Sequence, residues 1–141
     1  MLRIVVDTNI WVRALMGGKV SLPILIALHE KKFKVIISDA LLSELKDVVN
    51  RPRLKKRINP LDAEDLLALL EWDGESVALK TIPPRCRDPK DHPVLATAID
   101  GRANAIVSGD DELRADEELR EVMASYGIQL WGVNSFLQEI A

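Results

Sequence analysis

Cysteine is almost missing from this 141-residue chain, with Cys86 standing alone. No intrachain disulfide and no cysteine-rich zinc site is therefore possible. Glycine and proline are sparse, seven of each. They are scattered without a period, which excludes a collagen-like or low-complexity chain. No apolar run approaches the roughly 20 residues of a membrane span. The opening stretch Met1-Leu2-Arg3-Ile4-Val5-Val6-Asp7 is too short in its apolar part for a signal peptide. A reducing cytoplasm is the expected setting. Neither sign of charge dominates, since 19 Lys and Arg face 22 Asp and Glu for a formal net charge of −3. The overall field does not advertise a nucleic-acid binder, but it leaves room for an enzyme that meets nucleic acid briefly. What the chain does have is 48% apolar and 29% charged residues. That balance supports a real core and excludes disorder as the dominant state. The length predicts one domain spanning residues 1–141.

Apolar runs alternate with helical patterns along the chain. Leu2 to Val6 and Phe33 to Ile37 read as buried strands, with Glu75 to Ile82 a weaker one. Ala105 to Val107 and Ile128 to Trp131 complete the set. Helical patterns cover Ile10 to Met16, Leu22 to Leu28, and a segment capped by Ser38 that carries Leu41, Leu42, Leu45, Val48 and Val49. Another starts at Asn59-Pro60, with the cap followed by proline at the first helical position. Asp91 to Arg102 and Ser135 to Ile140 are also helical, and one or two short helices follow Asp110. This alternation predicts an α/β fold with a mostly parallel five-stranded sheet flanked by helices on both faces. Strands apolar on both faces agree with that. Ligands of such open sheets bind beyond the carboxyl ends of the strands.

Carboxylates converge there. Asp7 follows the first strand directly, and Asp110 follows Ala105-Ile106-Val107-Ser108-Gly109 in the same way. Glu44 falls on the border of the apolar stripe of the helix after the second strand. Asp91 opens its helix one turn above the inward-facing Leu95. Two carboxylates 4 Å apart repel by about 4 kcal/mol at an effective dielectric near 20. Such a set calls for raised pKa values or a cation. All-oxygen donors with so little Cys and His suit Mg²⁺ or Mn²⁺. One or two such ions activate water and neutralise phosphate charge. Each acid taken singly also fits a plain turn or capping role.

Val5-Val6-Asp7-Thr8-Asn9-Ile10 resembles the opening motif of PIN-domain ribonucleases. Ser38-Asp39-Ala40-Leu41-Leu42-Ser43-Glu44-Leu45 resembles their second acidic segment. Arg51-Pro52-Arg53-Leu54 resembles a stretch of the subgroup formed by toxins of prokaryotic toxin–antitoxin pairs. Cys86-Arg87-Asp88-Pro89-Lys90-Asp91-His92-Pro93-Val94-Leu95 and Ile106-Val107-Ser108-Gly109-Asp110-Asp111-Glu112-Leu113 resemble that subgroup's third and fourth acidic segments. The resemblance implies a PIN-like three-layer fold and metal-dependent hydrolysis of RNA phosphodiesters by an endoribonuclease. It places Asp7, Glu44, Asp91 and Asp110 at the catalytic and metal positions. Asp7 and Asp91, opening inward from rigid elements, are the foremost candidates for direct ligands. Glu44 binds metal or orients water, and Asp110 completes a second site. Thr8, Asn9 and Ser108 are candidates to hold the carboxylates or a phosphate oxygen. Asp111 is a substitute for Asp110, and Arg87 a candidate for meeting the scissile phosphate, with Arg85 and Lys90 beside it. His92 stands where the subgroup often has a further acid. An RNA substrate, a cognate antitoxin protein and a homodimer are the implied partners, with no membrane. A catalytically idle PIN-like module that binds RNA or protein is the alternative, and a phosphohydrolase of small nucleotides a third reading. The pattern of a phosphoaspartyl hydrolase is absent, because residue 9 is Asn rather than a second Asp. Nucleotide-fold glycine motifs are absent too.

Other features have two readings each. The run Arg51, Arg53, Lys55, Lys56 and Arg57 guides an RNA backbone or is a solvated helix end. Trp72 stacks on a base or, as the expected alternative, ends its helix against the core. Leu66, Leu67, Leu69, Leu70 and Trp72 make a helix apolar on more than one face. It is either fully buried or covered by a second copy or an antitoxin.

Overall fold

The computed structural model describes residues 1–81 and 91–141. Arg85, Cys86, Arg87 and Lys90 lie outside the described residues, as does the end of the strand expected over residues 75–82. Among the described residues the five strands are β1 (Arg3–Val6), β2 (Lys34–Ile37), β3 (Glu75–Ser76), β4 (Ala105–Val107) and β5 (Gln129–Trp131). They form one sheet in the order β3-β2-β1-β4-β5. Every pairing is parallel. β1 sits at the centre. The chain leaves it toward β2 and β3, then returns past it to β4 and β5. The order therefore reverses between β1 and β4, and a crevice opens at the carboxyl ends of these two strands. The weak strand shrinks to Glu75–Ser76, because the next residues turn away to meet Asp100. Its carboxylate accepts the Lys80 and Thr81 backbone N–H groups at 2.7 and 3.1 Å.

Alternation on the strands divides the core in two. Ile4, Val6, Val35, Ile37, Ala105 and Val107 face one layer. Val5, Ile36 and Ile106 face the other. Two covered faces explain why the strands read as continuous apolar runs. The first layer is built by α1 (Thr8–Leu15), α2 (Leu22–His29), most of α3 (Asp39–Val49), the short α4 (Pro52–Lys55), α5 (Pro60–Asp73) and α9 (Val133–Ile140). The second is built by α6 (His92–Asp100), α7 (Asp111–Ala115) and α8 (Glu117–Ser125), with Leu41 of α3. Burying a leucine or phenylalanine in these layers contributes about 1.5–3 kcal/mol each.

Helix α5 corrects one expectation. Leu66 and Leu70 are fully buried, and Leu67 and Leu69 pack against the same core. Trp72 does not end the helix against the core but is 90% exposed. Six residues beyond Leu66, it points to the side opposite the buried stripe. α5 thus spends its apolar seam inside the molecule. Large apolar residues stay outside on two helices, Leu61 and Trp72 on α5 and Leu22 and Ile26 on α2. Among the described residues no helix is long and apolar enough to cross a membrane.

Candidate metal centre

Asp7 is the residue at which β1 becomes α1. Its backbone N–H still pairs with the Val107 carbonyl of β4 at 2.9 Å. Its own backbone is extended, and α1 begins at the next residue. The carboxylate is thus fixed between a central strand and a helix N-terminus, and it is buried. Burial pushes its pKa up. The Ser108 hydroxyl, donating to Oδ2 at 3.1 Å, pulls the other way. So do the Thr8 and Asn9 N–H groups, which lean toward the carboxylate without making a capping hydrogen bond. The negative charge of Asp110 adds to the rise. The net direction says that this site disfavours a bare anion and rewards a cation.

Ser108 does two jobs. Its hydroxyl donates to Asp7 and accepts the Asp110 backbone N–H at 3.0 Å. One buried hydroxyl therefore couples the ends of the adjacent strands β1 and β4. Asp110 is also a helix cap, since Oδ1 accepts the N–H groups of Glu112 and Leu113 at 2.9 and 3.3 Å. Asp111 is exposed and pairs with Arg114. On the other side of Asp7, the Thr8 hydroxyl donates to Glu44 Oε2 at 3.3 Å, so α1 holds the acid of α3.

Asp91 depends on how α6 is placed. Ser38 caps α3 by accepting the Leu41 N–H at 3.4 Å. The Ser38 and Thr97 hydroxyls meet at 2.8 Å in the core. Thr97 gives its proton to the Pro93 carbonyl at 2.6 Å, so Ser38 is the donor between the two hydroxyls. This buried link fixes the start of α3 against α6. Asp91, at the start of α6, makes no capping bond to that helix.

All four sequence-predicted acids line one cavity of about 760 Å³: Asp7, Glu44, Asp91 and Asp110. Asn9 lines it too. Asp111 lines an adjoining hollow of about 380 Å³ that Asp7 and Asp110 share. Arg87 falls outside the described residues. Two cations also line the cavity: Arg51, part of the basic run read as an RNA guide or a solvated helix end, and Arg13, which the sequence did not single out. Arg13 carries little signal of its own, being the lone cation of α1, six residues after Asp7.

The acids share the cavity without closing on one point. Among the described residues, no group of three or more His, Cys, Asp or Glu stands close enough to hold a metal ion. The donor chemistry nonetheless fits a hard divalent cation. Mg²⁺ is usually held by only one or two carboxylates, keeps several waters, and takes further oxygens from a phosphate. A loose, oxygen-only set around one buried carboxylate matches that habit better than it would match zinc.

Comparison with curated proteins gave no match. The family comparison did: residues 3–112 match the PIN domain. The matched stretch includes all four acids and ends two residues after Asp110. PIN domains are in general nucleases that use divalent metal ions. By this match and by its five-stranded parallel sheet, the chain belongs to the PIN domain family.

Proposed function

We propose that the protein is an endoribonuclease dependent on Mg²⁺ or Mn²⁺, and that it is the toxin half of a toxin–antitoxin pair. One observation carries the nuclease reading. Four carboxylates from four separate segments face a single cavity at the strand-order reversal, around a buried Asp7. A divalent cation bound there supplies neutralisation of phosphate charge and a more acidic water. The protein's own groups set up the rest. Ser108 orients Asp7, and Thr8 orients Glu44. Asp7 and Asp91 are the proposed direct ligands, with Glu44 and Asp110 completing the anionic wall. Arg13 and Arg51 line the same cavity and offset the charge of the scissile phosphate. Hydrolysis forms a bond from the water's oxygen to phosphorus and breaks one P–O bond; a carboxylate of the wall takes the water's proton, and the leaving oxygen is protonated in turn from that acid or from solvent.

Sequence resemblance at residues 51–54, 86–95 and 106–113 supports the toxin setting. A protein partner, whether antitoxin or second copy, finds support in α2, whose Leu22 and Ile26 stay exposed. A catalytically idle binding module is the second reading, and the open spacing of the acids favours it.

The test is cleavage of a labelled single-stranded RNA panel with Mn²⁺, Mg²⁺ or EDTA, by the native chain and by folded Asp7→Asn and Asp91→Asn variants. Metal-dependent cutting that disappears in both variants is the expected result. Equal cutting by the variants sinks the assignment of the site. No cutting by any form, together with no Mn²⁺ binding, moves the chain to the idle module.

A further inference from the structure

Next to the acidic cavity lies a second hollow of similar size, about 760 Å³, and its walls have the opposite charge. Arg13, Lys19, Arg57 and Arg114 line it, and among the described residues no Asp or Glu does. In a chain whose acids outnumber its bases, four cations in one wall without an acid are a local reversal of the field. The two spaces are continuous in their lining. Arg13 borders both. Ser108, whose hydroxyl holds Asp7, lines the cationic one.

Two glycines shape this hollow. Gly109 follows β4 and Gly132 follows β5. A Cβ on Gly132 would lie 2.7 Å from Arg114 Nη1 and 3.1 Å from Cζ. A Cβ on Gly109 would lie 2.7 Å from Arg13 Nη1. Each guanidinium therefore lies flush on bare backbone at a strand end. Arg114 gives Nη2 to Asp111 outside the hollow, but its Nε is buried and has no hydrogen-bond partner. Helix α9 starts at the same wall with no side chain capping it, and its first residues Val133, Asn134 and Ser135 line the hollow. Open N–H groups at a helix start add to the attraction for an anion.

We infer that this hollow is a phosphodiester subsite, which takes a backbone phosphate of the substrate strand next to the one presented to Asp7. The inference rests on the nuclease reading above and deepens it. Guanidinium forks match phosphate oxygens in pairs, and three of the four cations are arginines. A strand laid across the acidic cavity passes Arg13 and enters the hollow without leaving the protein surface. The acids receive the bond to be cut, and the cations hold the neighbouring phosphate that fixes the register.

The test separates this claim from cleavage. Binding of a labelled single-stranded RNA oligonucleotide is measured by fluorescence anisotropy in EDTA over a range of salt. The proteins are the native chain, the Lys19→Gln/Arg57→Gln double variant, Gly132→Ala, and Lys32→Gln at the opposite edge of the sheet. Lys19 and Arg57 are both exposed, so their replacement leaves folding intact. The slope of log affinity against log salt is expected to flatten in the double variant, by about 0.7 for each phosphate that no longer meets a cation. Gly132→Ala, which displaces the Arg114 guanidinium, is expected to weaken binding. Lys32→Gln is expected to match the native chain. An unchanged slope in the double variant overturns the subsite, even if Asp7-dependent cutting is found. So does failure of the native chain to bind RNA. A polyglutamate peptide that binds in place of RNA overturns it as well, and makes the hollow a protein-docking site. A flattened slope without any cutting keeps the phosphodiester site and removes the nuclease reading alone.

Discussion

Replacing Asp7 by Asn is expected to make the protein more stable and inactive at once. Asp7 is 8% exposed, and burial raises its pKa above the ordinary 3.8. The folded chain therefore holds that proton more readily than the unfolded chain does. Below the ordinary value both states are protonated, and the buried group carries no charge penalty. As pH rises through the folded value, the ionised form becomes a standing cost to the fold. Hydrogen bonding from Ser108 offsets part of this cost, and Asp110 adds to it. Asn keeps the shape and an acceptor for Ser108 but never ionises. Relief of a functional strain of this kind is typically about 1 kcal/mol. For a domain of this length that raises Tm by about 3–4 °C. The assay is thermal unfolding by circular dichroism in EDTA, at pH 7 and again below pH 4. The rise should appear at pH 7 and fade in acid. An equal or lower Tm for Asp7→Asn at pH 7 would refute the reasoning that burial makes this carboxylate a strained group. In the presence of Mn²⁺, cleavage by the same variant should fall by more than about 100-fold, because removing a direct ligand costs more than removing the hydrogen bond that supports it.

Ser108→Ala removes the donor to Asp7 and the acceptor for Asp110. Mn²⁺ affinity measured by calorimetry should fall about 10–100-fold, and an unchanged affinity would remove Ser108 from the site. Gly101→Ala forces a Cβ to 2.4 Å from Ile36 Cγ2 and 2.8 Å from the Thr97 carbonyl. Overpacking where this helix meets the sheet should cost about 1–3 kcal/mol in urea unfolding. Leu70→Ala in the seam of α5 should cost about 2–5 kcal/mol. Trp72→Ala, two residues later, should change stability by less than about 0.5 kcal/mol. Equal destabilisation by the last two would mean that Trp72 packs after all.

Much of the candidate site is legible in the sequence because three of its four acids sit at punctuation points. Asp7 and Asp110 follow short β-branched runs, and such runs end where a parallel sheet presents its carboxyl edge. Ser38 and Asn59 read as helix caps and act as such, accepting N–H groups from Leu41 and Leu61. Trp72 is misplaced by a reading that lets apolar type outweigh angular position on the helix. The strand after Glu75 reads too long because local pattern carries no record of Asp100, distant in sequence, drawing Lys80 and Thr81 aside. Arg13 escapes notice because a lone cation in an apolar helix looks like a solvated face until its neighbours are known.

Local order in the chain settled the elements and their succession. Period and capping depend on residues a few places apart, and those are written consecutively. The same order put Asp7, Asp91 and Asp110 at element boundaries and Glu44 inside α3, and it carried the family signature. Only the tertiary structure decided what stands beside what. Strand order placed Asp7 and Asp110 on neighbouring strands, and the Ser38–Thr97 link joined the helices that bear Glu44 and Asp91. Packing decided how deeply Asp7 is buried, and so the direction of its pKa. It also brought Lys19, Arg57 and Arg114 into one wall with Arg13. Charge and burial at a site are sums over neighbours in space, and a sequence orders neighbours only along the chain.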